Sequence, residues 1–108
     1  MTSMDDRRKG FESKWAHDAE LRFKVEARRN RALGLWAAGE MGVTGPAAQS
    51  YANEVVAAEF DKGGDEAIFA KIRKDLDSRK ISVSDHMIRR KMAELLDSAK
   101  AEIEAQRK

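Results

Sequence analysis

The densest chemistry in this 108-residue chain lies in two cationic clusters. The first is Arg28, Arg29, Asn30 and Arg31; the second is Arg89, Arg90 and Lys91. Guanidinium forks match phosphate oxygens bidentately, so both clusters are candidate sites for a phosphate-bearing ligand. Trp36 or a phenylalanine could stack on a purine. The competing reading is plainer: helix-surface arginines paired with Glu26, Asp85 or Glu94. No Gly-x-x-x-x-Gly-Lys-Ser/Thr run occurs, which excludes a P-loop. Without a metal-positioning Ser/Thr and acidic pair, the clusters offer binding rather than hydrolysis. The histidines, His17 and His86, stand on different segments and form no His-Glu-x-x-His pattern, so no zinc site is expected. His17 is a weak candidate for sensing pH near neutrality. The absence of cysteine excludes disulfides, thiol nucleophiles and cysteine metal sites. No Ser/His/Asp constellation can be assembled, and the chain is expected not to be an enzyme.

A second kind of chemistry lies near the start. Phe11 and Trp15 share one helical face, four residues apart. Large aromatics in well-packed pockets are the usual anchors of an interface, although both could simply pack on the body of the protein. Arg7, Arg8, Lys9 and Lys14 flank them and could meet an acidic rim, unless they form an ordinary solvated face.

The elements that must position these residues read as helices. With 42% hydrophobic and 37% charged residues and one proline, the chain suits a small helical domain. Breaks fall at Gly39 to Pro46, at Asp61 to Asp65 and at Ser78 to Ser84. Helix one is expected from about Asp5 to Ala38, with Leu21, Val25, Ala32, Leu35 and Trp36 on one face, widened by Phe23 and Ala27. Helix two starts near Pro46, capped by Thr44 or Gly45, and stops at Gly63 or Gly64. Asp65 is the expected cap of helix three, whose stripe is Ile68, Phe69, Ile72 and Leu76. Ser84 or Ser82 caps helix four, which carries Ile88, Met92, Leu95, Leu96, Ala99 and Ile103. The expected core takes Leu21, Val25, Trp36, Val55, Phe60, Ile72, Leu76, Met92 and Leu95. Helix one would be about 50 Å long, more than the other helices can cover. Its apolar stripe is thinnest at the start, so residues 1–19 are expected to form a mobile arm and residues 20–108 the bundle, an all-α four-helix fold.

Several segments together resemble a known family: Phe11 to Leu21, Ala27 to Gly39, Tyr51-Ala52, Glu54 to Val56, Gly64-Asp65, Ile81 to Ser84, and Ile88 to Met92. In this order and spacing the chain resembles the zeta-subunit family, the inhibitor subunits of alphaproteobacterial F-type ATP synthases. The runs Ala27-Arg28-Arg29-Asn30 and Ile88-Arg89-Arg90-Lys91-Met92 are its most specific parts. The resemblance implies a four-helix bundle whose N-terminal segment, with Arg8, Phe11, Lys14 and Trp15 as effector residues, wedges into the catalytic head at a catalytic-subunit interface near the rotor. It implies ADP or ATP as a regulatory ligand, for which Arg28, Arg29, Asn30, Arg31, Arg89 and Arg90 are the candidate residues. No cofactor is required. It also implies a cytoplasmic protein, held peripherally on the inner membrane through the synthase. Lys9-Gly10 departs from good helix formers within the arm.

Charge patterning bears on the main alternative, a basic helical nucleic-acid-binding module. The net charge of +2 divides into +3 over residues 1–31, −5 over 32–70, +5 over 71–91 and −1 over 92–108. The acidic middle block and the lack of a recognisable helix-turn-helix count against nucleic acid. No apolar run is long enough to span a membrane, and no signal peptide is expected.

Overall fold

The computed structural model describes residues 17–61 and 63–106. These form four helices with no strand among the described residues: α1 (Ala19–Glu40), α2 (Gly45–Ala58), α3 (Asp65–Ser78) and α4 (Asp85–Gln106). The all-α bundle expected from periodicity is the observed fold. Its two 22-residue helices, α1 and α4, are each about 33 Å long. The start of α4 packs near the end of α1, and the end of α4 packs near its start, so the two are antiparallel.

The helix starts follow local chemistry. Asp18 is extended (φ −103°, ψ 108°), and its side chain accepts a hydrogen bond from the Leu21 amide at 3.0 Å. A carboxylate there satisfies an orphan N–H and complements the helix dipole. The continuous helix expected from Asp5 is therefore interrupted at Asp18. Pro46 stands in the first turn of α2, where its missing N–H leaves no bond broken. The Ser84 hydroxyl accepts from the Met87 amide at 3.1 Å and caps α4, as expected. At α3 the expectation fails. Gly64 occupies the cap position and Asp65 is the first helical residue, its carboxylate drawn away by Arg29.

The stops of α1 and α3 share one geometry. After α1, the Val43 amide donates to the Ala38 carbonyl at 2.8 Å and the Gly42 amide to the Gly39 carbonyl at 3.1 Å. Gly42 supplies the left-handed residue (φ 74°) that this motif needs. After α3, the Ile81 and Lys80 amides donate to the Leu76 and Asp77 carbonyls, both at 2.9 Å. Here a lysine takes the left-handed position (φ 58°), so no glycine marks the stop in the sequence. Ile81 then folds back onto the core that holds Leu76.

The core has two parts. The larger unites Leu33 and Ala37 of α1, Val55 of α2, Ile68, Ile72 and Leu76 of α3, and Ile88 and Met92 of α4, with Trp36 and Leu95 partly buried against it. The smaller joins Leu21 and Val25 to Ala99 and Ile103, where only α1 and α4 run together. One residue of the expected apolar face and one of the expected core are displaced. Leu35 is exposed, because the buried face of α1 runs through Leu21, Val25, Arg29, Leu33 and Ala37 instead. Phe60 is 72% exposed. Helix α2 ends at Ala58, and the amides of Glu59 and Phe60 close tighter bonds to Val56 and Ala57, which turns Phe60 off the core-facing register. It meets Phe23 instead, at 6.1 Å between ring centroids.

Helices α1 and α2 approach closely at Gly34. A Cβ added there would lie 2.7 Å from the Ala52 Cα and 3.2 Å from a Val55 methyl. Gly34→Ala should therefore force the helices apart and lower stability by about 1–3 kcal/mol. Gly39→Ala, in the open last turn of the same helix, should raise it by about 0.5 kcal/mol through helix propensity. Urea unfolding of both variants checks the opposite signs.

Candidate functional site

Side chains one residue apart on a helix point about 100° apart. The Arg28–Arg31 cluster therefore fans out instead of converging. Arg28 reaches Glu102 of α4 at 2.9 Å. Arg29 reaches Asp65 of α3 at 2.6 Å. Arg31 turns to α2, bonding Asn53 at 3.0 Å and also Gln49. About one turn of α1 thus braces all three other helices.

Arg29 and Asn30 differ from the rest of the cluster in being buried, Arg29 at 2% exposure. Its Nε donates to the Asn30 side-chain oxygen at 2.6 Å and its Nη2 to Asp65. Residues 25 and 33 belong to the two separate parts of the core, so this polar layer falls between them. Beside it, burial pushes the Glu59 carboxyl up to about 7, with the hydrogen bond and charge of Glu26 adding to the shift and Arg29 opposing it.

The second cluster also divides. Arg89 forms a fork with Glu66 of α3, with both N–O distances 3.0 Å. Its guanidinium lies 3.8 Å from the centre of the Phe69 ring. Hydrogen bonds from Arg89 hold the Glu66 carboxyl below its ordinary range. Arg90 pairs with Glu94 on its own helix at 3.0 Å, the partner expected from the sequence, and Lys91 approaches the same carboxylate. The first turn of α3 is where the two clusters meet, with Asp65 taking Arg29 and Glu66 taking Arg89. Glu26 faces Glu59, and Asp85 is taken by Arg73 at 2.8 Å.

Sequence reasoning missed a third polar group. The Tyr51 hydroxyl donates to Asp75 at 2.8 Å, and Lys71 bridges Asp75 and Glu54, each at 3.1 Å. Burial, then the Asp75 hydrogen bond, pushes the Tyr51 phenol up. Burial alone would lower the Lys71 ammonium, but its hydrogen bonds to Asp75 and Glu54 hold it above its ordinary value. Tyr51, Glu54 and Asp75 border an open cavity of about 320 Å³, lined also by Met41, Val43 and Arg79. Lys71 to Asp75 at i,i+4 was the one sequence signal for it.

Arg8, Phe11, Lys14 and Trp15 lie outside the described residues. Among the described residues, no cluster of His, Asp and Glu is placed to hold a metal ion, and no helix is long and apolar enough to cross a membrane.

A bundle whose arginines brace its own helices defines a small all-helical protein. The family model for ATPase inhibitor subunit zeta matches residues 1–102. The chain belongs to that family, and its role is inhibitory. A protein solved by solution NMR is 38% identical, with a TM-score of 0.70 over 80% of this chain and 98% of that one. A search of curated proteins gives no match.

The two clusters predict different responses to truncation. Arg29→Ala removes the only guanidinium shared by Asn30 and Asp65, and should cost about 3 kcal/mol. Arg90→Ala breaks an exposed pair within one helix and should change stability by less than about 0.5 kcal/mol. Chemical denaturation of the two variants checks the contrast.

Proposed function

We propose that the chain inhibits ATP hydrolysis by an F-type ATP synthase through its N-terminal segment, residues 1–19. The segment enters the catalytic head at a catalytic-subunit interface near the rotor and blocks a gap that must close during each cycle. The helical body is the anchor. The observation that carries this reading is the match to the inhibitor family across residues 1–102, which includes the segment. The Asp18 cap supports it, since α1 has its own N-terminal start there and does not need the preceding residues to begin. Phe11 and Trp15 are the buried anchors of the contact, and Arg8 and Lys14 its charged rim. The subunit is non-catalytic, needs no cofactor, and works on the cytoplasmic side of the membrane through its partner.

Deletion of residues 1–16, which keeps the Asp18 cap, should abolish inhibition while the far-ultraviolet circular dichroism of the body persists. Phe11→Ala and Trp15→Ala should each weaken inhibition by about 2 kcal/mol, as buried aromatic hot spots do. Arg8→Ala should mainly slow association. Full inhibition by the folded truncation would transfer the effector role to the body.

ADP or ATP as a regulatory ligand is the second part of the proposal. Guanidinium density supports it, and so does the exposure of most of the pairs. Arg28, Arg89 and Arg90 each face an exposed carboxylate, and water already competes for such pairs, so phosphate can compete for them too. Arg29 and Asn30, being buried, would act by holding α1 in place. Titration with ADP should shift the backbone amides around Arg28–Arg31 or Arg89–Arg90. Unmoved amides throughout would remove the nucleotide from the account.

A further inference from the structure

The cavity beside Tyr51 carries chemistry that neither the inhibitory reading nor the two arginine clusters use. Its volume of about 320 Å³ is at the small end of the range for ligand sites. Three parts of the fold line it. Ala47, Tyr51 and Glu54 come from α2 at steps of four and three, so they share one helical face. Asp75 and Ser78 come from the last turn of α3, and Arg79 directly follows that helix. Met41 and Val43 come from the turn between α1 and α2, which the Val43 amide fastens through its 2.8 Å bond to the Ala38 carbonyl. Packed helices and a closed turn therefore shape the cavity before any ligand arrives.

Most of the polar groups around it are already satisfied. The Tyr51 hydroxyl donates to Asp75 at 2.8 Å. The Lys71 ammonium bonds Asp75 and Glu54, each at 3.1 Å, and stands 5.1 Å from the centre of the Tyr51 ring. An aromatic face beside two carboxylates is an arrangement that takes an amine, and here the chain's own lysine fills it. The Ser78 hydroxyl donates to the Asp75 carbonyl at 2.9 Å. Arg79 differs. Its guanidinium has no ion pair or side-chain hydrogen bond among the described residues, and it lies near enough for its charge to bear on the Tyr51 phenol. The cavity thus offers an apolar lining of Met41, Val43 and Ala47, an aromatic ring, and one unmatched cation.

We propose that this cavity binds a small organic monoanion, a carboxylate on a compact apolar or aromatic body, with Arg79 taking the charge and Met41, Val43 and Ala47 taking the body. A planar carboxylate matches the guanidinium fork bidentately. A cation is turned away because Lys71 already holds the amine position. A polyanion is disfavoured too: one ammonium is shared between Glu54 and Asp75, so negative charge remains beside the site and repels each further charge on the ligand. That separates this cavity from the nucleotide proposed at the arginine clusters. A bound ligand would touch the α1–α2 turn, α2 and the end of α3 together, and so would stabilise the bundle.

Benzoate has this chemistry and is the probe. Titrated into the isotope-labelled full-length chain, it should move the backbone amides of Val43, Ala47, Tyr51 and Arg79 along a saturating curve, while those of Arg28–Arg31 and Arg89–Arg90 stay in place. Benzamide has the same shape without the charge and benzylamine has the opposite charge; each should bind about fivefold more weakly or worse. Arg79 is exposed, so Arg79→Gln should keep its circular dichroism spectrum and lose a similar factor in benzoate affinity. Ala47→Phe, at an exposed position in the first turn of α2, should fill the cavity and abolish the shifts with the arginine intact. Shifts that do not saturate or that fall outside the cavity would overturn the site. Undiminished binding by Arg79→Gln, or equal binding of benzylamine, would overturn the assignment of an anion to Arg79. Displacement of benzoate by ADP at the same amides would overturn the restriction to a single charge.

Discussion

A guanidinium removed from water is the constraint around which this bundle is arranged. Arg29 sits at a position on α1 where spacing would favour an apolar residue, between Val25 of one part of the core and Leu33 of the other. Burying an isolated charge there would cost many kcal/mol, so the surrounding chain must supply acceptors. Asn30 supplies one from the adjacent position, and Asp65 another across the helix interface. The second requirement fixes where α3 begins. Asp65 cannot both cap its helix and answer Arg29, and it answers Arg29, leaving the cap to Gly64. The start of α3, the end of α2 and the middle of α1 are thereby tied to one polar centre.

The same centre separates two mechanical regions. Beyond Arg29 toward its C-terminus, α1 is enclosed by three helices and approaches α2 so closely that Gly34 has no room for a methyl group. Toward its N-terminus, α1 has mainly α4 beside it, through the small cluster of Leu21, Val25, Ala99 and Ile103. Opening free energies are lower where fewer apolar contacts must be broken. The N-terminal end of α1 is thus the less firmly held one. Arg28–Glu102 and Phe23–Phe60 are contacts that restrain it.

Much of this was legible before any coordinates. The helices α2, α3 and α4 announce themselves through Pro46, Ser84 and the stripe of Ile68, Ile72 and Leu76, because caps and periodicity are local signals. The largest error depends on a partner distant in sequence, and those at Phe60 and Lys80 on local backbone turns. Arg29 and Asn30 read as surface residues, since nothing near them shows that Asp65 lies 36 positions away to receive the charge. Leu35 read as part of the apolar face because the polar pair masks the true buried face of α1. Phe60 read as core because its helix was expected to run on to Gly63 or Gly64, whereas it ends at Ala58. Lys80 gave no sign of the left-handed turn that ends α3. The fan of Arg28, Arg29 and Arg31 followed from helix geometry alone, yet which helix each would reach did not. For the proposed effector residues Arg8, Phe11, Lys14 and Trp15, the sequence and its family are the basis of the reading.

The central claim is that the N-terminal segment, and not the helical body, engages the catalytic head. Site-specific photo-crosslinking on the assembled enzyme tests it most directly. A photoreactive aromatic residue replacing Trp15 should couple to a catalytic subunit with high yield, and only under conditions in which hydrolysis is inhibited. The same probe replacing Ala101, exposed on α4, should give little coupling to a catalytic subunit. Efficient coupling from Ala101 together with none from Trp15 would contradict the account.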